Sequence, residues 1–219
     1  VMIVDDSIGE KPYTDENDMI CWHYDHSQQR TVKGINFVTC LYHCQGVSLP
    51  IGFEIVRKTE KYLDPKSGKE KRRSNRTKNE MYRDLMAQAV KNQILFKYAL
   101  NDIWFASAEN MNFVKITLEK EFVMPLKGNR KVATSAEAKQ NGRYQSVETL
   151  ELEPMKPVTV YLEGVEFALL LAKQVFTNED GSTGILYLVT SDTTLDGNGI
   201  TTIYQKRWNI EVFFKSMKS

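Results

Sequence analysis

The chain has 219 residues, 42% of them hydrophobic and 26% charged, with 29 basic side chains against 28 acidic ones for a net charge of +1. That is enough to bury the core of one large domain, or of one domain with a sizeable insertion, and it excludes a disordered chain. The longest apolar run, around Phe167 to Ala172, is far too short to span a bilayer, no signal peptide opens the sequence, and the three cysteines are too few for a disulfide framework, which predicts a soluble, cytoplasmic protein.

The opening VMIVDD is apolar on both faces up to its carboxylates, the pattern of a central strand buried on both sides. A polar stretch follows, and residues 1–26 carry seven acidic side chains against Lys11 alone. Next come KGINFVTCLYHC (33–44) and VSLPIGFEIVRK (47–58), two β-rich segments that Gln45 and Gly46 join as a hairpin. The run KSGKEKRRSNRTK (66–78) holds seven basic residues in thirteen, read either as a solvated loop or as a contact to a phosphate backbone through Arg72, Arg73, Arg76 and Lys78. Residues 74–94 have a Ser/Asn start and apolar spacing at Met81, Leu85, Met86, Ala89 and Val90, which predicts a helix.

A fourth strand over 97–106 carries Asp102, a second helix covers 109–121, and a fifth strand covers 122–129, so the order is β-β-β-α-β-α-β. From 130 to 193 short apolar or alternating runs, separated by Pro154, Pro157, Gly164 and the turn-forming NEDGSTG, read as an antiparallel β insertion. One further helix starts near Ile200 and runs to the end. At 100° per residue, Tyr204, Arg207, Glu211, Lys215 and Lys218 share one face within about 80°, opposite Ile203, Ile210, Phe213, Phe214 and Met217. A plain surface helix accounts for the ion pairs but not for three cations crowded around one carboxylate, which suits the docking of an anion. The start inside a strand and the end just past this stripe read as a piece of a longer protein.

Three carboxylates hold telling places: Asp5 at the end of the first strand, Asp102 at the end of the fourth, and Glu211 on the last helix. In an α/β sheet ordered 3-2-1-4-5, the first and fourth strands are neighbours, and a helix packed through Ile210, Phe213 and Met217 could present Glu211 to both aspartates. Carboxylates gathered in this way call for a hard cation, Mg²⁺ or Mn²⁺, and two such ions suit phosphodiester chemistry. Alternation in the strand cannot choose between Asp5 and Asp6, because both faces are apolar.

These residues resemble the DDE transposases of bacterial insertion sequences, in the group marked by Tyr-x2-Arg-x3-Glu-x6-Lys, here Tyr204, Arg207, Glu211 and Lys218. VDDS (Asp5 and Ser7), NDIWFAS (Asp102) and the β insertion extend the likeness over the whole chain. It implies an RNase H-like fold, with 1–129 as the first part of the core, 130–193 as the insertion and 194–219 as the catalytic helix. By that resemblance Asp5, Asp102 and Glu211 ligate two Mg²⁺ or Mn²⁺ ions, Arg207 and Lys218 contact the phosphates of double-stranded DNA at transposon ends, and Tyr204 helps hold that DNA; Lys215, on the same stripe, is a further candidate DNA contact. It also implies a homodimer in the synaptic complex, work at the nucleoid, and water attack followed by strand transfer. Two rivals stand beside it: a DNA-binding or assembly fragment without activity, and an RNase H-like nuclease without transposition.

Two features are open. Cys21, His23, His26, Cys40, His43 and Cys44 could be imagined around Zn²⁺, yet the usual paired spacing is missing, and strand alternation explains the Cys40, Tyr42, Cys44 face as well. Among the tryptophans, Trp104 is expected in the core, whereas Trp208, at the edge of the polar stripe, is a candidate DNA contact.

Overall fold

A computed structural model describes residues 1–26, 28–178 and 180–218. Strand β1 spans Met2–Glu10, β2 Ile20–Asp25, β3 Arg30–Cys44 and β4 Val47–Ile55. The β3–β4 hairpin closes on Gln45 and Gly46, both at positive φ (49° and 80°), as a primed turn requires. Strand β2 lies in the stretch read as polar: Cys21 and His23 turn inward while Trp22 and Tyr24 face out, an alternation masked by the polar and aromatic residue types. The basic run is not a plain loop either. Strands β5 (Glu60–Leu63) and β6 (Glu70–Arg73) form a small hairpin apart from the main sheet, held by the cross-strand ion pairs Lys61–Glu70 and Arg73–Glu60.

Helix α1 (Lys78–Lys91) starts at Thr77, whose side chain and Glu80 form a capping box, three residues after the Ser/Asn start read from the sequence. After β7 (Tyr98–Asn101) come α2 (Ala108–Asn112), which continues as a π-helical turn over Phe113–Thr117, and β8 (Glu121–Leu126). Residues 130–193 contribute β9 (Lys131–Ala133), α3 (Ala136–Gln140), β10 (Gln145–Ser146), β11 (Val158–Leu162), β12 (Leu169–Thr177) and β13 (Thr183–Thr190). These strands extend the main sheet, because β13 pairs antiparallel with β8 and β12 with β13.

The single final helix of the sequence reading is two helices, α4 (Gly197–Gln205) and α5 (Trp208–Lys218). At their junction the backbone tightens to i→i+3 bonds, Arg207 N–H to Tyr204 carbonyl at 2.9 Å and Ile210 N–H to Arg207 carbonyl at 3.2 Å, which rotates residues before the break relative to those after it.

In the sheet β1 lies between β3, antiparallel, and β7, parallel; β7 in turn pairs parallel with β8, and β4 pairs with β3. Both faces are buried. Met2, Val4, Val38, Cys40 and Ala99 pack toward α1 through Met81, Tyr82 and Met86. Ile3, Leu41, Leu100 and Val123 pack toward α4 and α5 through Ile200, Ile210 and Phe214. No helix among the described residues is long and apolar enough to cross a membrane.

Candidate active site

The parallel β1–β7 ladder sets the positions of two aspartates. It pairs Met2 with Ala99, Ile3 with Leu100 and Val4 with Asn101, so the next residue on each chain is Asp5 and Asp102. β1 does not stop there, as the sequence reading had it, but runs on to Glu10 against β3. Asp5 shares the parity of Ile3 and projects to the α5 face, whereas Asp6 shares that of Val4 and meets Lys78 Nζ, near the start of α1, at 2.6 Å. Asp102 accepts a hydrogen bond from the Ile103 N–H at 2.6 Å and caps the 3₁₀ turn Ile103–Phe105. Behind it, buried Asn101 donates to the Asp102 carbonyl at 2.7 Å and accepts from the Tyr82 hydroxyl at 3.3 Å, fixing the strand end against α1.

Glu211 reaches the site because its neighbour Ile210 and the next turn's Phe214 are buried against Ile3 and Leu41. The Arg207 guanidinium lies between carboxylates, donating to Glu211 Oε1 at 2.5 Å and to Asp5 Oδ2 at 3.4 Å. Burial pushes the Asp5 carboxyl up to about 7; Asp102 and Asp6 add to the rise, while the Asp6 N–H and Arg207 oppose it. A buried anion that costs this much to charge is one that a nearby cation stabilises, and Arg207 now supplies that charge. Three carboxylates thus suit a hard cation by donor chemistry. Against the expectation that they already converge, no group of three or more His, Cys, Asp or Glu side chains among the described residues is arranged to hold a metal ion. Arg207 separates two of the three.

These groups line a cleft of about 670 Å³ together with Asp6, Lys78, Lys127, Lys215 and Lys218. Tyr204 is not on it. The tight turn after α4 rotates this residue toward the core, where burial raises its hydroxyl above the ordinary tyrosine range and the hydroxyl donates to the Asn101 carbonyl at 3.4 Å. Trp208 is exposed beside the cleft, with Lys215 Nζ 5.9 Å above its ring. Trp104, expected in the core, is instead 54% exposed on the cleft wall, because Phe105 takes the buried position by stacking on Tyr82. Sequence reasoning missed Lys127, Tyr24 and His26 as well; Lys127 follows β8 much as Asp102 follows β7, and an alternating reading of residues 20–25 would have exposed Tyr24.

The basic hairpin is elsewhere. Arg72 pairs with Asp18 at 2.5 Å and Glu16 at 3.5 Å, Arg73 with Glu60 at 2.8 Å, and Arg76 with Asp84 and with Glu54 at 3.5 Å, and none of the three lines the acidic cleft. Nor do the cysteines and histidines assemble. Cys21 and His23 touch at 3.3 Å as alternate residues of one strand, burial holds the His23 imidazole down at about 4 and pushes the Cys40 thiol up to about 12, and His43 bonds the Ser48 hydroxyl at 2.9 Å.

A mixed sheet whose adjacent parallel strands deliver two aspartates into a cleft lined by lysines is the arrangement of a nuclease-type domain. Residues 1–151 match the family model of the DDE superfamily endonucleases, and the chain belongs to that family. The match covers Asp5 and Asp102 and ends before Glu211. No curated protein matches the chain.

Proposed function

We propose that this chain is the catalytic domain of a DDE transposase of the bacterial insertion-sequence type, cutting double-stranded DNA at transposon ends and joining the freed 3′-hydroxyl to target DNA. The observation that carries the reading is the ladder that ends at Val4 and Asn101 and so sets Asp5 and Asp102 side by side on the face where Glu211 lies. In this reading Asp5, Asp102 and Glu211 would hold two Mg²⁺ or Mn²⁺ ions, which would supply Lewis-acid charge for phosphodiester chemistry.

The chain's own residues do the rest. Lys215, Lys218 and Lys127 attract the DNA backbone into the cleft. Arg207, paired here with Asp5 and Glu211, has a donor fork suited to a phosphate. Asn101 and Tyr82 keep Asp102 in place, and Tyr204 ties α4 to the same strand end. In the first reaction a water oxygen bonds to phosphorus as the bond to the 3′-oxygen breaks, leaving a 3′-hydroxyl and a 5′-phosphate. That hydroxyl repeats the displacement on target DNA. Residues 130–193 serve in this reading as the insertion before the catalytic helix, and the working form is a homodimer that brings two ends together at the bacterial nucleoid.

Glu211→Gln tests it, because it keeps size and helix while removing one anionic ligand. Mg²⁺-dependent nicking of duplex DNA by the chain should fall to background, and nicking at the wild-type rate would rule out the triad. Equal cutting of every duplex, with no 3′-end joining, would leave a nuclease without transposition.

A further inference from the structure

Three aromatic side chains in the cleft have no part in the carboxylate chemistry. Tyr24 sits on β2, His26 just past its end, and Trp104 two residues after Asp102. Their rings form one run: Tyr24 meets His26 edge-on at 4.9 Å and 79°, and His26 meets Trp104 at 5.8 Å and 39°. Tyr24 is 53% and Trp104 54% exposed, and His26 is exposed too. Single exposed aromatics are ordinary, but here two segments distant in sequence bring their rings together over one cleft. Folding does not require it. Phe105 anchors the turn after Asp102 by stacking on Tyr82 at 5.5 Å, and Cys21 and His23 fill the inward positions of β2, so Trp104 and Tyr24 project outward at the expense of apolar exposure.

We propose that Tyr24, His26 and Trp104 form a stacking wall for an unpaired DNA base at the edge of the acidic cleft. This rests on the reading that DNA is the cleft's substrate. The charges around the wall favour the base over the backbone there: Asp25, between Tyr24 and His26 in the chain, repels a phosphate, whereas Lys127, Lys215 and Lys218 line the same cleft and attract one. With the backbone drawn to the lysines, a flat uncharged ring is the part of a nucleotide suited to these aromatics. A paired base has both faces occupied by its neighbours, so the ligand is a base already unstacked from the duplex. Stacking of this kind reads no sequence, because every base has a π face.

The test measures binding of the full chain, without divalent ions so that nothing is cut, to a fluorescent oligothymidylate and to an abasic strand of the same length. Both carry the same phosphates. Wild type is expected to bind the base-bearing strand about 5- to 150-fold more tightly, the range for one stacked base. Trp104→Ala should bring the two affinities to within about twofold, Tyr24→Ala should narrow the gap, and Trp104→Phe should keep most of it. Trp22→Ala serves as control, since its ring is exposed but lies outside the cleft, and it should keep the full preference. Retention of the preference by Trp104→Ala overturns the proposal. So does equal, tight binding of both strands by wild type, which would leave the DNA reading intact; failure of wild type to bind either strand or duplex would remove the DNA reading and this one with it.

Discussion

Two regions of the molecule present basic side chains, and they use them in opposite ways. In the β5–β6 hairpin and the segment that follows, the sequence is most basic, yet Lys71, Arg72, Arg73 and Arg76 are each matched to a carboxylate: Asp64, Asp18, Glu60 and Asp84. On α5 the cations are sparse, but Lys215 and Lys218 line the cleft that holds Asp5, Asp102 and Glu211. The density of charge along a sequence therefore says little about the field a ligand meets, because a hairpin can fold its charges onto their partners. What matters is which side chains the fold turns toward one concave surface.

The sharpest way to break this comparison is to remove cations from each region and follow DNA binding against salt. Arg207→Ala and Lys218→Ala should each weaken binding to end-bearing DNA and lower the salt slope by about one unit, if each neutralises one phosphate. A slope unchanged in both variants would make the α5 face an ordinary surface. Replacing Arg72, Arg73 and Arg76 together should change the slope less, and should affect unrelated DNA as much as end DNA; a larger loss than at α5 would invert the comparison.

The two regions should also respond differently to pH. The folded Asp5 carboxyl titrates near 7 against an ordinary 3.8, so the native state holds the extra proton between those values and metal-free stability falls as pH rises from about 4 to 7. In the hairpin, Lys71 and Ser67 hold Asp64 down at about 2, so its contribution is present above the ordinary carboxylate range and is lost as pH falls through about 2. Asp5→Asn should thus flatten the melting profile between pH 4 and 7 by a few degrees, and an unaltered profile would show that burial does not perturb this carboxyl. The smallest effect belongs to Tyr204→Phe. It deletes the 3.4 Å bond to the Asn101 carbonyl together with the hydroxyl's interaction with Arg207, and should cost about 0.5–1.5 kcal/mol in urea unfolding.

Much of this arrangement was legible beforehand where pattern and chemistry agree. VMIVDD reads as a doubly covered strand because both faces are apolar, Gln45–Gly46 as a turn because short hairpins need positive φ there, and α1 because its apolar residues recur at helical spacing. Strand β2 was missed because its inward residues are a cysteine and a histidine. The break between α4 and α5 leaves no Pro or Gly in the sequence; it follows from tertiary packing, which moves Tyr204 off the polar stripe and against Asn101. Which of Trp104 and Phe105 is buried also depends on a partner far along the chain, Tyr82. The cations failed to sort by sequence for the same reason, since Arg72 finds its carboxylates at Glu16 and Asp18.

Whether Asp5, and not its neighbour Asp6, joins Asp102 and Glu211 in holding a divalent cation is read most directly from a Mn²⁺ titration of the chain followed by electron paramagnetic resonance. Wild type should bind Mn²⁺ and Asp5→Ala should lose that binding while its circular dichroism stays native. Asp6→Ala, which removes the pair with Lys78 on the α1 side, should keep binding close to the wild-type affinity. Loss of Mn²⁺ binding in Asp6→Ala with retention in Asp5→Ala would contradict the account, and would mean that the face of β1 turned toward Lys78 is the one that carries the chemistry.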